Sequence, residues 1–434
     1  MKNLFPTKNI CCAAVLAVVV CLSNYFVPPL PAAEWYRCAT HAHSLWSDGN
    51  VTPEEAVEWY RSHGFHCVSI TDHRILQDNP DHWVDTSQEK VNELNAKFGN
   101  GWTHTRTVDG KLQMRLKTVW ELEKKFNVPG RFLLIPGLEL TAHNIEGDKA
   151  LHMNVLNVAK TMPYLEEPTL AGTIQRNITA VQEHGRAEGR STILIVNHPA
   201  YRYYDIEPKA LIDVGDVEFY EFLNPDFPVA ASMGYTLNEE QFWTCENYWD
   251  IVCAFRTVLG KKFVYGIGAD DAHDYSSFTP RSCPPGISFI FVRSEELTAA
   301  ALFQAMRKGD SYISTGVELN DVRFEASAKT LSVKVKPENG VKYRIDFIGT
   351  KKNFDRTEKP FVLEKTATNP KRAGMTYHFA DFGVLLGSVE GTMGTYTMKD
   401  DDLYVRARIT SDRQTRVPNE NEPPTATAWT QPYR

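Results

Sequence analysis

The sequence predicts an α/β protein: parallel strands wrapped by helices in a barrel-type arrangement, then a small antiparallel β-domain. Three observations carry this. Between about residues 35 and 316, short apolar runs alternate with helix-compatible stretches, the order that builds parallel sheets. Side chains able to bind metal recur at the ends of those runs, where barrel-type sites sit. From about Leu319 the hydrophobic period changes to two, in Thr330–Lys336, Tyr343–Ile348 and Leu403–Ile409, with Pro, Gly and Asn between them.

At the N-terminus, Lys2 and Lys8 precede an apolar run from Ile10 to Leu22, followed by Val27-Pro-Pro-Leu-Pro-Ala-Ala33. A basic start, a short apolar core and a small-residue exit describe an export signal. The run is shorter than the roughly 20 apolar residues of a membrane span. Residues 1–33 are therefore expected to direct the chain to the periplasm or the extracellular space, with cleavage near Ala32 or Ala33. An uncleaved N-terminal anchor is the alternative, and no stable span is expected once the signal is gone. The remainder carries 45 basic and 54 acidic residues, a net of −9. That balance gains little from counterion release and argues against a duplex nucleic-acid partner. The oligomeric state is left open.

Of eight cysteines, Cys11, Cys12 and Cys21 fall in the signal. Cys38 and Cys67 sit in strand-like runs and read as buried apolar residues. Cys245 and Cys253 are the pair whose spacing permits a disulfide in an oxidising compartment. No C-x-x-C occurs, which argues against a thiolate zinc site.

Trp35–Thr40 reads as the first strand. Thr52-Pro-Glu-Glu55 supplies an N-cap, an early proline and first-turn acids for a helix to about His63, which Gly64 stops. Cys67–Thr71 is the second strand. Residues 78–130 read as an insertion with helices over about Asp85–Phe98 and Leu116–Phe126. Phe132–Pro136, Met153–Val158, Thr192–Val196, Val217–Phe222 and Phe263–Ile267 continue as strands, with helices over Leu170–Ala187 and Glu246–Leu259. The boundaries expected are a barrel over 34–316 and a β-rich domain over 317–434, with a loose tail from Arg416.

Successive side chains of a strand point to opposite faces, so His41-Ala-His43 aims two imidazoles the same way. Asp271-Ala-His273 does the same with a carboxylate and an imidazole. His73 ends the second strand, Asp48 lies just beyond the H-x-H pair, and Glu139 follows Leu133-Leu-Ile-Pro-Gly137. His152 opens one strand and His198 closes another. Six strand ends bearing such residues point to a metal cluster. His63, His66, His82, His104, His184 and His378 have no partner at ligand spacing, and the loop around His143 offers none. Asp72 and Asp270 are read as carboxylates that orient ligating imidazoles. Arg74 and Arg202, each beside a ligand motif, are candidates to grip a phosphate.

These motifs closely resemble those of the PHP superfamily, named for polymerase-associated and histidinol-phosphatase domains. The four are His41-Ala-His43 with Ser47-Asp-Gly49, Thr71-Asp-His73, Asn197-His-Pro199 and Asp271-Ala-His273, and the likeness covers roughly residues 35–316. Pro53–Val57 and Gly309–Gly316 resemble a narrower branch of carbaryl-hydrolase-like metallohydrolases. The resemblance implies a distorted seven-stranded (β/α) TIM-like barrel holding two or three divalent ions. His41, His43, Glu139 and Asp271 would hold the first, Glu139, His152 and His198 the second, and Asp48, His73 and His273 the third. The mixed O/N donor set suits Zn, Mn or Fe. The expected activity is phosphoester hydrolysis of a small phosphorylated molecule by a metal-bridging hydroxide, with Asp271 or His273 moving protons. Cleavage of a carbamate, ester or amide on the same centre is the rival. A non-catalytic metal- or glycan-binding protein is the alternative of another class.

Overall fold

The computed structural model describes residue 1 and residues 33–145, 149–201, 205–225, 244–279, 282–364, 371–415 and 425–434. Residues 2–32 of the proposed export signal and Arg202 lie outside them. The barrel portion begins with β1 (Glu34–Ala39), α1 (Pro53–Ser62) and β2 (Cys67–Val68). The insertion carries β3 (Trp83–Asp85), α2 (Gln88–Phe98), β4 (Thr105–Val108), β5 (Lys111–Arg115) and α3 (Val119–Phe126). Then come β6 (Leu133–Leu134), β7 (Gly137–Ile145), β8 (Lys149–Leu156), α4 (Leu170–Glu188), β9 (Ile193–Val196), α5 (Pro208–Asp213), β10 (Phe219–Leu223), α6 (Cys245–Val258) and β11 (Tyr265–Gly268). β12 (Phe289–Ser294), α7 (Ala299–Arg307) and β13 (Ser311–Ser314) lead into the C-terminal strands. These are β14 (Leu319–Glu325), β15 (Thr330–Val335), β16 (Tyr343–Gly349), β17 (Lys359–Leu363), β18 (Arg372–Thr376), β19 (Val384–Glu390), β20 (Met393–Thr397), β21 (Arg406–Gln414) and β22 (Thr425–Thr430). Among the described residues no helix is long and apolar enough to cross a membrane.

The protein is a mixed α/β structure, but among the described residues its strands do not close into the expected barrel. One sheet runs β19-β16-β21-β22-β13-β12-β1-β2-β6, and a second runs β11-β10-β9-β8-β7. Two isolated parallel bridges, Ala42↔Ala272 and His73↔Glu139, link them. The first break has a local cause: Pro136, between β6 and β7, has no N–H to extend a ladder. The expected parallel order also fails at two strands. β8 is antiparallel to both neighbours, and β12 is antiparallel to β1. Only residues 146–148 separate β7 from β8, and a connection that short permits only a hairpin.

At the other break, a side chain replaces a strand. The buried amide of Gln431 donates Nε2–H to the Gly266 carbonyl (2.9 Å) and accepts the Gly266 N–H (3.0 Å). The free edge of β11 is thus satisfied by the C-terminal segment. That segment is itself built into the first sheet, because β22 pairs with β13 and β21. Arg406 in β21 adds a second tie, donating Nε–H to Asp250 of α6 (2.9 Å) from a fully buried position. The sheet therefore continues across residue 316, and within the predicted tail Thr425–Thr430 is an internal strand.

Two further expectations change. The insertion contains a three-stranded sheet, β3-β5-β4, besides its helices. Its strands are short and half polar, so periodicity did not reveal them. Cys38 and Cys67, read as separate buried residues, are register partners on β1 and β2 and form a disulfide, whereas Cys245 and Cys253 are not joined.

Replacing Gln431 with Leu keeps volume but leaves both polar groups of Gly266 buried without partners. A loss of about 2–4 kcal/mol is expected in urea denaturation; a change within about 0.5 kcal/mol contradicts this role.

Candidate metal centre

Nine side chains converge at the strand ends where the two sheets bridge. His41 and His43 follow β1, and their Nε2 atoms lie 3.2 Å apart. Asp271 Oδ1 lies 3.0 Å from His41 Nε2 and 3.1 Å from His43 Nε2. Glu139, on β7, occupies the middle. Its Oε1 lies 3.5 Å from His41 Nε2, 3.3 Å from His152 Nδ1 and 3.5 Å from His198 Nε2, and its Oε2 faces His43 and His73. His152 sits inside β8, opposite Thr141 of β7, rather than opening a strand. Asp48 bridges His73 Nε2 (3.5 Å) and His273 Nε2 (3.4 Å).

The site is tiered. His41, His43, Glu139, His152, His198 and Asp271 are buried, while the Asp48 side chain is 56% exposed and His73 and His273 are partly exposed. Three sets of donor atoms fall within 4.8 Å of one another: His43/Asp48/His73/His273, His41/His43/Glu139 and His73/Glu139/His152. This grouping shares His43 and His73 between sets that the family resemblance keeps apart.

The donors fit a cation. His152 Nε2 is buried with no hydrogen-bond partner. The inward convergence of His41 and His43 places two imidazole nitrogens where only a proton or a metal can reconcile their lone pairs. Burial would neutralise these groups, yet the cluster overrides it. For His41, burial opposes protonation, but Asp271, Glu221 and Glu139 raise the imidazole well above its usual range. Against the same burial cost, Asp48 and Glu139 lift His73 to about 10, Glu139 lifts His198 to about 9, and Asp48 lifts His273 to about 9. His43 is pushed down to about 4 by burial and by the neighbouring His273 charge. Glu139 and Asp271 are held well below the carboxylate range, because the surrounding imidazoles outweigh desolvation. Without a metal, protons on imidazoles supply the positive charge of the cluster.

The backbone is bent to deliver these groups. Arg74, His198 and Asp271 have positive φ of 61°, 23° and 48°, a strained conformation for side-chain-bearing residues that concentrates at functional sites. Arg74 is exposed, and its Nε donates to the Thr141 carbonyl (2.9 Å), keeping it beside His73. His143, without a spacing argument in the sequence, places its ring 5.3 Å from that of His152.

Neither carboxylate expected to orient imidazoles hydrogen-bonds one directly, although Asp72 reaches His43 Nδ1 through Ser47 Oγ. Asp72 accepts from Ser44 N–H, Ser44 Oγ and Ser47 Oγ. Asp270 accepts from the Gly286, Ile287 and Ser288 amides and from Tyr60 Oη. Both lock loops. Of the groups that touch the ligands' outer atoms, Asn197 belongs to the Asn-His-Pro motif, while Glu221 and Thr141 were not singled out in the sequence. Glu221 lies 2.7 Å from His41 Nδ1, Asn197 donates to Glu139 Oε1 (2.7 Å), and Thr141 Oγ1 lies 2.7 Å from His73 Nδ1. Glu221 had a signal: it is the one charged residue in Phe-Tyr-Glu-Phe-Leu, a strand buried along its whole length.

No family model and no curated protein matches the chain. Among solved structures it is similar to a two-domain protein from Bacteroides vulgatus containing a predicted PHP-like metal-dependent phosphoesterase. The two share 15% identity over 86% of this chain and 97% of that one, at a TM-score of 0.38. It is also similar to a proposed metal-dependent phosphoesterase from Bifidobacterium adolescentis (15% identity, 54% of this chain, 87% of that chain, TM-score 0.28). A third is an amidohydrolase from Chromobacterium violaceum with bound sulfate and no metal (11% identity, 55% of this chain, 88% of that chain, TM-score 0.28).

The imidazolium share of the metal-free protein's stability is complete below the usual imidazole value of about 6.5. It is lost as pH rises through about 9 to 10, the folded values of His198, His273 and His73. A divalent ion must displace those same protons, so its affinity climbs over that window. The rise in Tm on adding Zn or Mn to chelator-treated protein is expected to be larger at about pH 8 than at about pH 6. An increment that stays constant or shrinks contradicts this linkage.

Proposed function

We propose that the chain is a metal-dependent hydrolase of the PHP superfamily and that phosphoesters are its substrates. The observation that carries this is the convergence of six imidazoles and three carboxylates, from seven separate stretches of chain, around Glu139. Divalent ions bound there would polarise a phosphoryl oxygen and bring the pKa of water toward about 7.

The chain's own residues divide the remaining work. Glu139, with Oε1 and Oε2 facing different imidazoles, would be shared between neighbouring ions. Asp271 presents Oδ1 to His41 and His43 and receives Asn224 Nδ2–H on Oδ2 at 3.3 Å. His273 donates Nδ1–H to the Asp271 carbonyl (2.6 Å), which leaves Nε2 pointing to the mouth. Asp271 and His273 would move a proton between the buried floor and solvent. Arg74, exposed and next in sequence to His73, would offer a guanidinium, a suitable fork for phosphate oxygens. Ser47 is not the nucleophile of a Ser–His pair: its hydroxyl donates to Asp72 (2.7 Å) while it sits 3.1 Å from His43 Nδ1.

Glu139→Gln removes the charge shared by five imidazoles. It is expected to strip metal and lower kcat/KM on p-nitrophenyl phosphates by about 100-fold or more. Full activity in that variant contradicts the assignment. Wild-type turnover of aryl carbamates or esters, with none on phosphates, would replace the phosphoester reading by the rival hydrolase. Purified protein devoid of transition metal would favour a non-catalytic binding protein.

We also propose export of the chain through the signal over residues 1–33. Mature protein beginning near Ala33 or Glu34 by intact mass is expected; retention of Met1 in the cell envelope supports the anchor instead.

A further inference from the structure

Glu221 sits in the middle of β10 with no solvent exposure. A carboxylate in such a place is costly unless its oxygens are saturated with donors. They are. Oε1 lies 2.7 Å from His41 Nδ1, while Oε2 accepts the His198 backbone N–H (2.9 Å) and Asn224 Nδ2–H (2.8 Å). Asn224 in turn reaches Asp271 Oδ2. One carboxylate therefore touches, directly or through a single amide, the residues delivered by the ends of β1, β9 and β11.

We propose that Glu221 is a positioning residue of the metal centre: it fixes the His41 tautomer and pins three ligand-bearing strand ends in register. This rests on the metal-centre reading above. His41 has only two ring nitrogens, and Nε2 is the one converging with His43 and Asp271. An acceptor on Nδ1 holds the ring proton there and frees the Nε2 lone pair for a cation. The second oxygen explains a separate feature. His198 adopts a φ of 23° just past the end of β9, and its N–H is satisfied by Glu221 Oε2. Gln at this position cannot reproduce the arrangement. With its oxygen toward His41, its amide N–H groups confront the His198 and Asn224 donors. Flipped, they confront His41 Nδ1–H and require the wrong tautomer.

The test is metal binding by the full-length protein, followed by competition with a chromophoric chelator. Glu221→Gln is expected to weaken Zn binding at one position by about 10–100-fold, with an activity deficit that narrows as free Zn is raised. A purely structural carboxylate would lower Tm and leave Zn affinity unchanged, and that result overturns the proposal. If the variant does not fold, the wild-type protein decides. In Zn-loaded, 15N-histidine-labelled protein, His41 Nδ1 should carry a proton and Nε2 the metal; His41 bound through Nδ1 overturns the proposal. A wild-type protein that takes up no Zn is a distinct outcome, visible before any variant is made, and it removes the metal centre itself.

Discussion

The structure depends on one buried carboxylate surrounded by imidazoles. Glu139 has no solvent exposure, and five histidines lie within 4 Å of its two oxygens. A lone carboxylate at that depth would protonate, and lone imidazoles at that depth would lose their protons. Together they do the reverse: the carboxylates stay ionised and four of the histidines hold protons more tightly than in water. The arrangement has the donor set and charge balance of a cation site. Bent backbone at His198 and Asp271 is the conformational cost of aiming the side chains inward.

The sheets are organised to hold that cluster from both sides. The ladders remain separate, and the two bridges that join them, Ala42↔Ala272 and His73↔Glu139, are formed by the ligands or their immediate neighbours. A closed barrel would need continuous pairing at both breaks. Here Pro136 interrupts one, and the Gln431 amide occupies the other. The C-terminal strands are consequently part of the scaffold. Arg406 and Gln431 reach back to α6 and β11, and β11 leads directly into Asp270 and Asp271.

The ligands were legible because their chemistry is rare and their spacing is physical. H-x-H and D-x-H at a strand end place two donors on one side, and apolar runs before them fix where the strand ends. The α/β alternation was legible for the same reason. What stayed hidden depends on partners distant in sequence. Glu221 and Thr141 are single polar residues whose meaning comes only from the imidazole each one meets. β7 does carry a period of two, Leu138, Leu140 and Ala142 against Glu139, Thr141 and His143, but Pro136-Gly137 just before it reads as the end of a strand. With β7 unassigned, the short hairpin to β8 and the reversal of strand direction could not be read. The Cys38–Cys67 bond likewise needed the register of two strands, which a sequence separation of 29 does not announce.

The central claim is that these nine side chains hold divalent ions. Its most direct measurement is anomalous diffraction from crystals of the purified protein, collected on both sides of the absorption edge of the bound metal. The account predicts at least two anomalous peaks, one among His41, His43, Glu139 and Asp271 and another in contact with Glu139. Peaks absent from this cluster in metal-supplemented crystals, with the imidazoles still paired to the carboxylates through protons, would contradict it.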